Sequence, residues 1–249
     1  MKQGADSPVD LNSLQFFVTG SHPCSYLPDR EAITLFADPS AQMSNLLYSQ
    51  LSAVGFRRSG AHLYRPHCPI CRACIPVRIP VNDFVPNRSQ RRTWNKNLDV
   101  EMASRPVEFT QEHFDLYRKY IRSRHPGGGM DQDEPEHYLS FIASPWSQTA
   151  LYEFRIGPRL FAVAVTDHLQ DGLSAVYTYF DPEDAARAPG VFALMSQVEQ
   201  ARQLGLDWLY LGYWIEESPK MAYKSRYQPL EYFNGRNWTD RKGILATRP

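Results

Sequence analysis

Apolar residues in the first part of the chain recur at two spacings, one near 3.6 residues and one near two. Between Ser40 and Gly55 they follow the helical spacing, which predicts a helix over 41–54 with Ser40 as its cap. Two strand-like segments follow, at 56–64 and 75–79. The pattern therefore predicts an α+β unit with a cysteine-bearing loop between strands.

The composition changes near Ser104, which predicts a boundary between a smaller domain, 1–104, and a second domain, 105–249. The second domain opens with a helix predicted over 111–124, with Thr110 as a possible cap.

Beyond this helix the pattern predicts three antiparallel strands, a helix, a strand, a short helix and a last strand. The successive segments are 150–156, 160–167, a strand after Asp171-Gly172, 190–204, 207–215, a helix opened by Ser218 and Pro219, and 230–233. This order is that of a GNAT-type acyltransferase core. The predicted fold class is α+β, with a GNAT-like core preceded by the smaller N-terminal domain.

The segment that would bind the pyrophosphate of an acyl-CoA donor has an unsuitable composition. Such a loop is normally rich in glycine, because backbone N–H groups bind the phosphates. Here the segment 181–192 contains one glycine, Gly190, and three acids, Asp181, Glu183 and Asp184. We therefore expect the acyl group to arrive on another carrier.

Charge is balanced overall but distributed unevenly. The chain has 249 residues, with 27 basic and 27 acidic ones, yet the segment 55–105 holds ten basic residues and three acidic ones. No stretch approaches the ~18 apolar residues of a membrane helix, and the first residues lack the apolar core of a signal peptide. We expect a cytoplasmic protein without membrane contact and with one cationic surface.

Part of this cationic segment combines charges with an aromatic ring, in Arg88, Arg91, Arg92, Trp94 and Lys96. Cations neutralise phosphates in a salt-dependent way, and a ring can stack on an unpaired base. The segment predicts contact with a nucleic acid. The alternative is a solvated helix face whose tryptophan belongs to the core.

The cysteines are few and clustered. Cys68, Cys71 and Cys74 lie in the run CPICRAC, and Cys24 lies upstream. This spacing is compatible with Zn²⁺ or an Fe–S cluster, both of which favour four ligands. Unliganded, partly buried thiols are the alternative.

Several long strings resemble the aminoacyl-tRNA-protein transferase family, and its short bacterial branch, the aspartate/glutamate leucyltransferases, most of all. They occur in a fixed order as CSYLP (24–28), GFRRSGAHLYRPHCPICRACIPVRI (55–79), RSQRRTWNKN (88–97), YTYFDP (177–182) and LYLGYWIEESPKMAYKSRYQPLE (209–231). The resemblance implies transfer of leucine from Leu-tRNA to the α-amino group of proteins that begin with Asp or Glu. The product would carry a destabilising N-terminus for the N-degron pathway. Relatives in eukaryotes transfer arginine, and some family members bind zinc or an Fe–S cluster through cysteines.

The implied reaction demands little of the enzyme. An aminoacyl ester is already activated, and an α-amino group has a pKa near 7.7–8.0. Positioning alone can contribute about 7–11 kcal/mol. The sequence has no Ser-His-Asp or Cys-His-Asn signature and identifies no catalytic residue. We expect direct aminolysis in a ternary complex, with no cofactor required and a modest acceptor for one proton.

An acidic N-terminal side chain requires a cation, and the planar guanidinium group suits a carboxylate best. Arg57, Arg58 and Arg78 lie in the strand-like segments and are the predicted acceptor-binding residues. The alternative for each is a solvated strand charge.

Tyrosines and lysines of the second domain supply the candidates for binding the donor. Tyr179, Tyr213 and Tyr223 are predicted to orient the leucyl ester or the terminal adenosine, with core packing as the alternative. Lys220 and Lys224 are one helical turn apart and are predicted to contact tRNA phosphate.

Two features leave alternatives open. The segment from His125 to Gly129, followed by acids from Asp131 to Glu136, is either a mobile lid over the acceptor or a surface loop without function. The remaining functional alternatives are arginyl transfer from Arg-tRNA, a CoA-dependent GNAT N-acyltransferase, and a metal-dependent RNA-binding module.

Overall fold

The computed structural model describes residues 14–124 and 134–246, and the predicted lid at 125–129 lies outside these ranges. The α-helices are α1 (Asn45–Ala53), α2 (Arg88–Lys96), α3 (Gln111–Arg124), α4 (Pro135–Ile142), α5 (Pro189–Gln203), α6 (Pro219–Ala222) and α7 (Arg241–Ala246). The 3-10 turns are Pro182–Arg187 and Tyr223–Arg226. The strands are β1 (Phe16–Val18), β2 (His22–Pro23), β3 (Glu31–Ala32), β4 (Thr34–Ala37), β5 (Arg57–Ser59), β6 (His62–Pro66), β7 (Ile75–Pro80), β8 (Val100–Arg105), β9 (Thr149–Ile156), β10 (Arg159–His168), β11 (Gly172–Phe180), β12 (Trp208–Trp214), β13 (Glu231–Phe233) and β14 (Trp238–Thr239).

A large mixed sheet organises the molecule, in the order β14-β13-β7-β12-β11-β10-β9-β8. Strands β9, β10 and β11 are antiparallel neighbours, as the sequence predicted, and β11 pairs with β12 in parallel. A smaller sheet has the order β1-β4-β6-β5. The mixed α+β class is therefore confirmed.

Helices cover both faces of the large sheet. On one face α5 packs its apolar side chains, including Phe192, Met195 and Val198, against the strands. On the other face α3 and α4 contribute Phe114 and Tyr138 to a second buried cluster. Burial on both faces explains the continuous apolar run of β10 from Leu160 to Val165.

The predicted helix 41–54 begins later than expected. Helix α1 starts at Asn45, and Ser44 is its cap, with the Ser44 hydroxyl accepting a hydrogen bond from the Leu47 N–H at 3.2 Å. Ser40 instead donates from its hydroxyl to the Asp38 carboxylate, so the cap at Ser40 was wrong. The prediction for α3 is confirmed, with the His113 N–H donating to the Thr110 hydroxyl.

The division at 104/105 stays a prediction. Strand β7 precedes that point in the chain and β8 runs across it, and both belong to the large sheet. Strand β7 lies between β12 and β13, where it contacts residues far away in sequence.

Candidate active site

Strands β11 and β12 pair over a short distance only. The parallel ladder joins residues 172–174 to 208–210 and does not extend further. Beyond it the Arg57 side chain lies between the two strands, donating from Nη2 to the carbonyl oxygens of Ala175 at 2.7 Å and Val176 at 3.0 Å. This guanidinium group replaces the missing ladder hydrogen bonds and keeps the strands apart. We call the space between residues 175–180 and 211–214 the strand opening.

Glycine is required at position 212 to admit this arginine. Gly212 has φ +73°, and β12 carries a register shift against β7 between Tyr210 and Gly212. A Cβ atom at this position would overlap the Arg57 side chain. The bulge therefore lets one strand turn around a guanidinium group.

Lys224 lies in the interior, in the 3-10 turn that follows α6. Its Nζ donates to the Tyr213 carbonyl oxygen at 2.5 Å and lies 3.4 Å from the Met221 sulfur atom. It forms no ion pair with a carboxylate among the residues described. Burial, and after it the Arg57 charge, lowers the pKa of this amine from its ordinary value near 10.5 to about 7. The Lys224 side chain is buried and is not part of the exposed cationic surface, and its contact with tRNA phosphate stays a prediction.

Two of the three predicted acceptor-binding arginines are occupied by the protein itself. Arg58 forms a bidentate ion pair with Asp167 at 2.7 Å, with both side chains fully buried. Arg78 donates to Glu231 at 2.8 Å and stacks on the Trp208 ring at 3.4 Å. The Arg58 guanidinium group is fully buried, so its assignment to the acceptor is corrected. The observed contacts of Arg78 are structural, and its contact with the acceptor stays a prediction.

Arg57 is the third predicted acceptor-binding arginine, and it is half-buried at the strand opening. Its Nη1 is buried and has no hydrogen-bond partner among the described residues. Its other terminal nitrogen is used by β11, so its observed contacts are structural and its contact with the acceptor stays a prediction.

The tyrosines differ in their availability. Tyr179 is fully buried and its hydroxyl shares a 2.7 Å hydrogen bond with that of Tyr138, so its role in orienting the donor was wrong. The Tyr213 hydroxyl is also buried, within 3.1 Å of the carbonyl oxygens of Gly55 and Tyr64. Tyr223 is 41% exposed next to Lys224, and its role stays a prediction.

Four of the six cations predicted to bind tRNA lie on one exposed helix. Arg88, Arg91, Arg92 and Lys96 are exposed on α2, whereas Trp94 is half-buried and packs against the α5 core residue Phe192 with ring centroids 5.3 Å apart. Trp94 therefore belongs to the core, as the alternative interpretation held, and its predicted role in stacking on a base is corrected.

Helix α2 is joined at its N-terminus to the turn that carries Lys224. The side-chain amides of Asn87 and Gln90 both donate to the Arg226 carbonyl oxygen at 3.3 Å. The exposed cation Lys220 lies on the neighbouring α6. The cationic helix and the strand opening are thus parts of one region.

The cysteines lie near one another without forming a metal site. Burial, followed by the neighbouring Cys24, Cys71 and Cys68 thiols, raises the pKa of Cys74 to about 12. Cys68 donates to the Ile33 carbonyl oxygen at 3.8 Å. A tetrahedral site needs four donors within about 2.3 Å of one point, and no group of three or more possible ligands in the described part of the chain can hold an ion. The expected Zn²⁺ or Fe–S cluster does not fit this arrangement.

The acids that argued against acyl-CoA lie where the sequence placed them, before α5. Lys119 pairs with Asp181 at 2.8 Å and with Glu183 at 2.9 Å, and Arg159 pairs with Asp184 at 2.5 Å. Each of these acids is thus paired with a cation of the protein itself.

Sequence reasoning missed two features of the site. It did not identify Lys224 as a buried amine, because a Lys-x-x-x-Lys spacing is typical of an exposed helix. It also passed over Arg65, which lines a cavity beside the cysteine loop. No local pattern distinguishes either residue, since only the packing of distant strands gives them their surroundings.

Among residues 14–124 and 134–246, every helix is too short or too polar to traverse a bilayer.

Comparison with known proteins identifies relatives along most of the chain. Residues 22–92 match the family model described as arginine-tRNA-protein transferase, N terminus, and residues 112–234 match the C-terminus model of the same family. An aspartate/glutamate leucyltransferase of Nitrosococcus oceani is 52% identical over 91% of this chain and 96% of its own length. Proteins of the same name from Alcanivorax borkumensis and Pseudomonas aeruginosa are 50% and 48% identical, over 93% and 92% of this chain and 96% and 98% of their own lengths.

Among solved structures, L-PGS from Bacillus licheniformis superposes with a TM-score of 0.48 at 10% identity, over 72% of this chain and 65% of that chain. The identity to the curated relatives extends across both family-model regions and over nearly their whole lengths. The chain is therefore an enzyme of the aminoacyl-tRNA-protein transferase family, and it belongs with the aspartate/glutamate leucyltransferases.

Proposed function

We propose that this protein transfers leucine from Leu-tRNA to the α-amino group of proteins that begin with Asp or Glu. The observation that carries the proposal is the 52% identity over 91% of the chain to a protein named aspartate/glutamate leucyltransferase. The matching family models are described as arginine-tRNA-protein transferase, which makes arginyl transfer from Arg-tRNA the second candidate. Aminoacyl-tRNA is a cytoplasmic substrate, so the proposed place of action is the cytoplasm.

The chemistry is aminolysis of an ester. The α-amino nitrogen attacks the leucyl carbonyl carbon, the C–N bond forms and the C–O bond to the ribose breaks. One proton leaves the nitrogen and one is delivered to the departing ribose oxygen. No cofactor is needed, because the ester is already activated and the enzyme has only to hold the reactants together.

The strand opening is the proposed place for the leucyl ester. Its support is the order of β9, β10, β11, α5 and β12, together with the short parallel ladder that ends at Tyr210. These are features of a GNAT-like core, in which the donor lies between the two diverging strands. In this proposal 105–249 supplies the core and 1–104 supplies Arg57, which keeps the strands apart.

Lys224 is the proposed proton acceptor. Its Nζ uses a hydrogen atom to bond the Tyr213 carbonyl, which leaves the lone pair of the neutral amine free to take a proton. With a pKa of about 7 a substantial fraction of the amine is neutral at physiological pH. The resulting ammonium group can return the proton to the ribose oxygen.

The tRNA itself is proposed to lie along α2. Arg88 and Arg92 are exposed and form no ion pair within the described residues. The contact of α2 with the Arg226 carbonyl brings this cationic face next to the turn that carries Lys224. Phosphates bound on α2 would therefore direct the 3′ end toward the strand opening.

The experiment that tests the proposal incubates the protein with Leu-tRNA, Arg-tRNA or acetyl-CoA and with peptides that begin with Asp, Glu, Lys or Ala. We expect leucylated Asp and Glu peptides only. Product from Arg-tRNA alone would support the second candidate, and product from acetyl-CoA without tRNA would refute both.

A matched pair of variants tests the proton acceptor. Lys224→Met is expected to lower kcat at least 100-fold, the usual size of a general-base contribution, and to remove one ionisation from the pH–rate profile. Lys242→Met, at an exposed lysine of α7 without a proposed role, is the control and should keep both kcat and the profile. An unchanged profile in Lys224→Met would exclude the amine as the acceptor.

A further inference from the structure

A cavity of about 720 Å³ opens between the cysteine loop and the end of the large sheet. Much of its wall is apolar, from Ile33, Val54, Ile75 and Phe233. The volume lies within the range of roughly 300–1,000 Å³ that is usual for small-ligand sites. It is large enough for the first residues of an extended polypeptide.

The charge in this cavity has one sign. Arg65 and Arg72 line it, and none of its described lining residues is an aspartate or a glutamate. The Arg65 guanidinium lies over the Phe56 ring at 5.0 Å and forms no ion pair with any residue that the structure describes. Arg72 is held by the loop, since its Nη1 donates to the Cys68 and Cys71 carbonyls.

The cavity touches one residue of the proposed reaction centre, Tyr213. Tyr213 lines it, and the carbonyl of Tyr213 accepts the hydrogen bond from Lys224. The Tyr213 hydroxyl bonds the carbonyl of Tyr64, the residue that precedes Arg65. One residue thus joins the cationic cavity wall to the buried amine.

We propose that this cavity binds the acidic first residue of the acceptor polypeptide, with Arg65 as the main partner of its side-chain carboxylate and Arg72 as a second cation. The inference rests on the proposed function. It assigns the specificity for an acidic acceptor to Arg65 and Arg72, which are not among the three arginines predicted from the sequence. In Asp and Glu the carboxylate is only a few bonds from the α-amino group. A carboxylate held at Arg65 therefore keeps the amine within the cavity that Tyr213 also lines.

The observations favour a peptide over the tRNA end. The wall offers two guanidinium groups, whereas a bound nucleic acid engages many cations through its phosphates. The row of exposed cations lies elsewhere, on α2. An isolated arginine with a planar fork matches a single carboxylate in two parallel hydrogen bonds.

The test compares Arg65→Met and Arg65→Lys with the wild type, using peptides that begin with Asp, Glu or Asn and are otherwise identical. The control is Arg236→Met, which removes an exposed arginine beside the cavity residue Gly235. We expect Arg65→Met to raise KM for the Asp and Glu peptides on the order of 10- to 100-fold, the effect of losing a charged hydrogen bond. The preference for Asp over Asn should fall, leaving only the part that Arg72 contributes, and KM for Leu-tRNA should stay within twofold.

Arg65→Lys keeps the positive charge and loses the planar guanidinium group. Its KM for the Asp and Glu peptides is therefore expected to lie between those of the wild type and Arg65→Met. This graded effect distinguishes lost recognition from misfolding. A rise in KM for Leu-tRNA with unchanged peptide KM would assign the cavity to the nucleic acid and overturn the inference. Unchanged KM values for both the peptide and Leu-tRNA would also overturn the inference.

Peptide binding without tRNA, measured by anisotropy of a peptide labelled at its C-terminus, separates the two proposals. A wild type that binds the Asp peptide through Arg65 but transfers no leucine refutes the proposed function alone. Transfer to the Asp peptide with undiminished binding by Arg65→Met refutes the cavity assignment alone.

Discussion

Replacing Lys224 by methionine tests the buried amine directly through stability. The fold lowers the pKa of this amine from near 10.5 to about 7, and each pKa unit corresponds to about 1.4 kcal/mol. Below pH 7 the folded protein therefore holds the protonated amine at a cost of about 5 kcal/mol. Methionine removes that cost and leaves the Tyr213 carbonyl without its donor, a loss of about 1–3 kcal/mol that does not depend on pH.

The pH dependence separates the two contributions. Between pH 7 and 10.5 the unfolded wild type binds more protons at Lys224 than the folded protein does, so wild-type stability rises with pH in this window. Lys224→Met lacks this contribution to the slope. We expect the variant to be more stable than the wild type by about 2–4 kcal/mol at pH 6, and this advantage to shrink by about 3 kcal/mol at pH 9.

The assay is urea unfolding followed by tryptophan fluorescence and circular dichroism at pH 6 and pH 9. Lys220→Met, at an exposed position, is the control and should change the free energy of unfolding by less than about 0.5 kcal/mol at either pH. An advantage of Lys224→Met that is the same at both pH values would refute the reasoning, because it would mean that Lys224 titrates alike in the folded and unfolded chains.

Three further substitutions probe the framework of the site. Arg58→Met leaves the buried Asp167 carboxylate unpaired and should lower the free energy of unfolding by about 3–5 kcal/mol; a loss below 1 kcal/mol in urea titrations would contradict a buried pair. Gly212→Ala forces a side chain onto a residue with φ +73° and into the neighbouring Arg57 side chain. The free energy of unfolding should fall by about 1–3 kcal/mol, and the rate of leucine transfer should fall at least tenfold. The control Gly157→Ala, with φ +56° and open space around the new methyl group, should keep its transfer rate. Arg88→Ala should weaken tRNA binding and reduce the slope of log affinity against log salt by about 0.9; an unchanged slope in filter-binding titrations would exclude a phosphate contact.

The elements with strong local signals were predicted well. Helix α3 has the predicted bounds, since its cap and its apolar face are both local features. The hairpin at Asp171-Gly172 and the run of antiparallel strands also follow from local turn chemistry and apolar spacing. The start of α1 was misplaced by four residues, because Ser40 and Ser44 are both acceptable caps and only the backbone path chooses between them.

The site was predicted less well, because its properties depend on long-range packing. Arg58 and Asp167 are 109 residues apart in sequence, and nothing near either one predicts that they meet in the interior. Arg78 owes its occupied state to Trp208 and Glu231, which reach it only after β7 enters the sheet between β12 and β13. Residue type identified cations suited to carboxylates, and it could not tell which of them the protein uses for itself.

The sequence by itself determined the α+β class, the main strands and helices of the second half, the cationic helix surface and the family. These depend on residue type, short-range spacing and long matching strings, all of which are present before the chain folds. The tertiary structure decided the rest: which arginines are consumed by the fold, that Lys224 is a buried amine, and that Arg65 faces an acid-free cavity. The physical reason is that burial, pKa and charge balance are set by the neighbours of a side chain in space, and most of those neighbours come from distant parts of the chain.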